Sequence, residues 1–118
     1  MQVCSTEAAM SMKPILLTFI SALICISAAK AQELTISISG IAFSPQKIHA
    51  HIGDRVVWIN HDGVRHEIYF AKNPTNSANV HLRYQVRPGE SISITVTKRG
   101  DYDYMCRWHG MLGNMHVD

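Results

Sequence analysis

Cys106, His109, Met111 and Met115 stand on one segment of ten residues, Cys106-Arg107-Trp108-His109-Gly110-Met111-Leu112-Gly113-Asn114-Met115. A thiol, an imidazole and thioethers gathered on a short, glycine-broken stretch are the donors that a soft transition metal takes, and copper is the first reading. The spacing C-x-x-H also serves small zinc sites, so the segment needs support from the rest of the chain.

The elements that must position it read as strands. Leu34, Ile36 and Ile38 alternate with Thr35, Ser37 and Ser39, the period of a strand with one buried face. Ser44-Pro45 signals a turn, Ile48, Ala50 and Ile52 resume the alternation, and Arg55 to Asn60 holds the apolar run Val56-Val57-Trp58-Ile59 of a strand covered on both sides. Further strands are predicted over His66 to Phe70, Val80 to Val86, Ser91 to Thr97, Tyr102 to Cys106 and Met115 to Val117, with a long polar connection from Ala71 to Asn79. Helical periodicity over ten or more residues is missing from this part of the sequence. The expectation is an all-β, Greek-key antiparallel sandwich or barrel.

Upstream of these strands the composition changes. Pro14 to Ala29 is almost wholly apolar, preceded by Lys13 and followed by the small-x-small pattern Ala29-Lys30-Ala31. This predicts a secretory signal peptide over residues 1–31 and a mature domain over residues 32–118. The apolar stretch is too short to remain as a membrane anchor. Glu7 places a negative charge where a positive one belongs, so translation is expected to begin at Met12 or Met10. Ala22-Leu23-Ile24 lacks the small residue needed beside a lipidated cysteine, and Cys25 would leave with the signal.

Cleavage also removes Cys4, which leaves Cys106 as the single cysteine of the mature chain and excludes an internal disulfide. An unpaired cysteine in an exported protein calls for a reason: a thiolate shielded by a metal, or a small buried hydrophobe. The mature chain carries nine Lys and Arg against eight Asp and Glu, too balanced for a nucleic-acid partner. Its seven histidines all follow residue 48.

In a sandwich the loops cluster at two ends, and an antiparallel pairing of the strand starting at His66 with the strand ending at Cys106 would bring imidazole and thiol to one rim. His109 can fold back over the same point. Two imidazoles and a thiolate with a weak axial thioether make the blue-copper donor set. Zinc would accept the same three but prefers a closed shell, for which His49, His51, His61 or His116 would have to be the fourth ligand. On their strands His49, His51, His81 and His116 are expected to face solvent, and Met105 and Met115 to pack in the core.

From Leu34 to Asp118 the chain resembles the cupredoxins, the type 1 blue copper proteins, and among them the amicyanin and plastocyanin group. Three stretches carry the resemblance: G-D-R-V-V-W-I-N from Gly53 to Asn60 with His66 six residues on, P-G-E-S from Pro88 to Ser91, and G-D-Y-D-Y-M-C-x-x-H from Gly100 to His109. It implies that His66, Cys106 and His109 bind one copper ion cycling between Cu(I) and Cu(II). By the same resemblance Asn60 ties the two ligand loops together from behind the ligands, a turn asparagine bonding its own backbone being the alternative. The family's M-x-G-x-apolar-x-V ending is matched by Met111-x-Gly113 and Met115-x-Val117 if the loop is one residue short, which favours Met111 as axial ligand, with Met115 or no ligand as alternatives.

The function implied is a monomeric periplasmic electron carrier, not an enzyme, that meets cytochrome-type or dehydrogenase-type redox proteins transiently. Copper sequestration, delivery or resistance is the second reading, favoured by the many histidines and methionines.

Overall fold

The structure, a computed structural model, describes residues 30–118, so the predicted signal peptide, with Cys4 and Cys25, lies outside the described residues except for its last two positions. Nine strands follow in order: β1 Glu33–Ile38, β2 Phe43–Ser44, β3 Lys47–Ala50, β4 Arg55–Asn60, β5 His66–Phe70, β6 Leu82–Val86, β7 Ser91–Thr95, β8 Gly100–Cys106 and β9 Met111–Val117. No helix among the described residues is long and apolar enough to cross a membrane.

The strands form two sheets, β2-β1-β4-β7 and β3-β9-β8-β5-β6, whose inner faces enclose the core. Strict alternation in β1 sends Ile36 and Ile38 inward, and in β9 it buries Met111, Gly113, Met115 and Val117. The all-β sandwich is therefore as expected. Two pairs, β1 with β4 and β3 with β9, run parallel, a direction that alternation along single strands does not encode.

Packing centres on Trp58, Phe70 and Tyr104, which meet edge to face or tilted with ring centroids 5.1–5.9 Å apart. Burial pushes the Tyr104 phenol up to about 12, so it stays protonated. Tyr102 instead turns its hydroxyl outward to the Lys98 carbonyl, 2.9 Å away, and so braces the turn that leads into β8.

The last strand differs from its predicted start. β9 begins at Met111, not Met115, because Gly113 is a strand residue and not a breaker. It stands opposite Tyr104, and a Cβ there would come within 2.2 Å of the tyrosine ring. The glycine makes room for the ring. Gly113→Ala should therefore cost about 2 kcal/mol through overpacking of a side chain that has nowhere to go. Urea titration of the metal-free domain checks this, and a loss under half that size would mean Tyr104 can shift.

Candidate metal centre

Antiparallel pairing of β5 with β8 matches Tyr69 to Met105 and Phe70 to Tyr104, so the start of one strand and the end of the other share a rim. Pairing stops short of Cys106 for a local reason. The Glu67 N–H, which a regular ladder would aim at a carbonyl, donates to the Cys106 sulfur at 3.3 Å.

Beyond Cys106 the chain reverses in four residues, Arg107 to Gly110, and pairs back with Met111 opposite Cys106. Gly110, at φ +66°, takes the left-handed conformation that closes the reversal. The tight turn lifts His109 to the exposed rim, its N–H aimed back at the Cys106 carbonyl at 3.4 Å.

The predicted trio therefore converges. Cys106 Sγ lies 3.7 Å from His66 Nδ1 and 3.5 Å from His109 Nδ1, and all three donors sit within 4.8 Å of one another. Metal–sulfur and metal–nitrogen bonds of about 2.3 and 2.0 Å put S and N about 3.5 Å apart at a tetrahedral angle and about 3.7 Å apart at a trigonal one. The two separations fall on those values. His49, His51, His61 and His116 do not join the group, so no fourth His or Cys among the described residues closes a structural zinc shell.

Met111 pairs directly with Cys106, and paired residues project to the same face, so its thioether belongs to the buried side that holds the thiol. Met115 pairs with Tyr102 four residues along, roughly 13 Å further down the strand, and lies wholly in the core. Of the two candidate thioethers, Met111 is the one whose strand position lies directly beside Cys106. The distance follows from register alone.

Asn60 is fully buried, but its bonds differ from the expected tie between ligand loops. Its Nδ2 donates to the carbonyls of Val64 at 2.8 Å and Val86 at 2.9 Å, and its Oδ1 accepts the Asp62 N–H at 2.9 Å. Both amide hydrogens are thereby used on the approach to β5 and on the end of β6. Among the described residues no bond runs from Asn60 to the loop after Cys106. What Asn60 holds is the turn that delivers His66, and the bond to Asp62 is the turn-asparagine pattern.

Two supports of the site escaped sequence reasoning. Asp62 accepts from His66 Nε2 at 2.8 Å, which places the proton on Nε2 and turns the Nδ1 lone pair to the thiol. Burial works against its charge, but the N–H groups of Ile41 and Gly40 and the His66 ring outweigh it and hold the carboxyl below the usual range. A carboxylate four residues before a candidate ligand was the available signal.

The other support is Glu67, with no exposed surface, whose carboxylate takes two parallel bonds from Arg107, 3.0 Å from Nε and 2.9 Å from Nη2, and an ion pair from Arg83. Arg107 also lies over the Tyr69 ring at 4.2 Å. Bonding to Arg107 above all holds the Glu67 carboxyl below its ordinary value. This clamp anchors the first residue of the His109 turn to β5.

A β-sandwich with a buried thiol, two imidazoles turned to it and a thioether on the same face at one rim defines the cupredoxin class. The chain belongs to the copper-binding plastocyanin/azurin family, whose pattern matches residues 30–118, and copper is its cofactor. Amicyanin of Paracoccus denitrificans is 26% identical over 76 residues, covering 64% of this chain and 57% of that protein. Plastocyanin of Scenedesmus fuscus is 34% identical over 85 residues, covering 65% of this chain and 87% of that one. The solved Cu(I) form of an amicyanin variant has a TM-score of 0.65 at 28% identity, covering 78% of this chain and 86% of the other. Against amicyanin as a whole protein, the chain spans little more than half the length.

Proposed function

We propose that His66, Cys106 and His109 hold one copper ion with Met111 as axial thioether, and that the chain is an exported, periplasmic one-electron carrier between redox proteins. The observation that supports this most is an asymmetry of burial: Cys106 and His66 have no exposed surface, whereas His109 lies at the exposed rim. Copper in this donor set would supply the Cu(I)/Cu(II) couple. The chain keeps water from the thiol, fixes the His66 ring through Asp62, and offers the His109 edge to a partner.

Trp108 and Leu112, close to His109 in the chain, are exposed, and a cleft of about 300 Å³ bordered by Ile41, Gly110, Met111 and Leu112 opens beside them. An apolar rim of this kind suits a small, quickly exchanging contact with a cytochrome or dehydrogenase. Copper delivery is the weaker reading. A donor protein must pass its ion through ligands a receiver can reach, and two of the three here are covered.

Visible and electron-spin-resonance spectra of the Cu(II)-loaded protein test the proposal. The expected result is an intense thiolate-to-copper band, narrow hyperfine splitting and reversible voltammetry. A colourless Cu(II) complex would sink the carrier reading. Met111→Leu should keep the band and raise the reduction potential, because Cu(II) loses a donor that Cu(I) needs less. An unchanged potential and spectrum would remove Met111 from the site.

A further inference from the structure

Parallel pairing of β3 with β9 sets His49 directly across from His116, and antiparallel pairing of β9 with β8 sets His116 across from Asp101. Ala50 and Val117 are buried, so the histidines before them in their strands face outward, on the side of the sheet away from the core. Asp118, two residues after His116, projects to the same side, and its backbone is fixed by bonds to Ala50 and Ile52. His49 Nε2 and His116 Nε2 both point at this one carboxylate, 2.5 Å and 2.8 Å from its two oxygens.

We propose that His49, His116 and Asp118 form a second metal site, for a borderline divalent transition-metal ion of the Cu(II) or Zn(II) kind. Two imidazoles and one carboxylate are a donor set such ions accept, and the three donor atoms already lie within 4.8 Å of one another. His116 carries the support such a ligand needs, because its other nitrogen, Nδ1, is 2.6 Å from Asp101 Oδ1 and is thereby fixed as the N–H side. His51 stacks on His49 with ring centroids 5.2 Å apart and limits how His49 can swing.

Ligands sharing one ion stand about 3 Å apart, so binding needs only a small outward step of exposed side chains that parts the two Nε2 atoms from Asp118. The open side of the set is left to water. His116 is five residues from Met111 along β9, roughly 17 Å from the thiol end, so the two sites do not share ligands.

An ion held there would bridge β3, the edge strand of its sheet, to β9. It would thus raise the melting temperature as well as add a binding equivalent. Titrating the copper-loaded protein with Cu(II) should fill a second equivalent whose spin-resonance signal has wide hyperfine splitting, distinct from the first. His49→Ala and His116→Ala should each abolish that signal and the metal-induced rise in melting temperature, with circular dichroism unchanged. Asp101→Asn should weaken the second equivalent about tenfold. Failure of the wild type to take a second equivalent, or its survival in the two histidine variants, would overturn the site. Because the difference in Zn(II)-induced melting temperature between the wild type and the two histidine variants cancels any zinc taken at Cys106 and needs no blue copper, the proposal stands or falls separately from the carrier function.

Discussion

Cys106→Ala should remove the visible band of the Cu(II)-loaded protein entirely and weaken its hold on copper several-hundredfold. Four-ligand structural zinc sites bind their metal with about 10–16 kcal/mol, and on that scale the share of one ligand is about 2.5–4 kcal/mol. The substitution has a second cost in the metal-free protein, because the buried Glu67 N–H loses its acceptor, worth about 1–2 kcal/mol. Cys106→Ser separates the two effects. Serine restores an acceptor for the N–H, yet its oxygen is a hard donor that gives no thiolate transition. Spectra and chelator competition on both variants provide the check. Copper held as tightly as in the wild type, with the band intact, would mean the thiol is not a ligand.

Glu67→Ala carries the other large effect, a loss of about 3 kcal/mol at neutral pH. Removing one partner of a buried ion pair costs about 3–5 kcal/mol, and the lower end applies because Arg83 and Arg107 are half exposed and can return to water. The pH dependence has a fixed sign. Glu67 is held below its ordinary value by Arg107 first, so its contribution is fully present above the unfolded value of about 4.3 and fades as pH falls through the lower folded value. Wild type and variant should therefore converge in acid. Denaturant midpoints at neutral pH and below pH 4 test this, and a gap that widens in acid would rule out the clamp as its source.

These two residues mark the limits of what sequence alone conveys. Cys106 was legible because a thiol three residues before a histidine is a metal-ligand spacing, and because the strand before it alternates cleanly. Pairing with β5 could be argued from strand ends, which made His66 its partner. Glu67 was hidden by the same logic: β5 is flanked by β8 and β6, all but one of its residues are buried, and alternation carries no signal in such a strand. Its partners Arg83 and Arg107 lie 16 and 40 residues away by number, a closeness that exists only once the sheet is assembled.

Asn60 shows a subtler gap. That it would be buried and bonded near the site was foreseeable from the resemblance, but which carbonyls it would reach depends on the local path of six residues to His66. Parallel pairings fell outside the reading for a related reason. They join strands far apart in the chain without a turn signal, and they create the His49–His116 adjacency that no stretch of sequence displays.

The reversal after Cys106 has an arithmetical consequence. With four residues between the paired positions, Met111 and then Gly113, Met115 and Val117 all fall on odd steps that face inward, and Leu112, Asn114 and His116 on even steps that do not. Inserting a single residue ahead of Met111 would exchange the two sets at once unless a bulge absorbed it. The thioether, the space for Tyr104, the core methionine and the outward histidine of the second cluster would change sides together. Loop length thus acts as a parity bit for the whole final strand wherever no bulge absorbs the change.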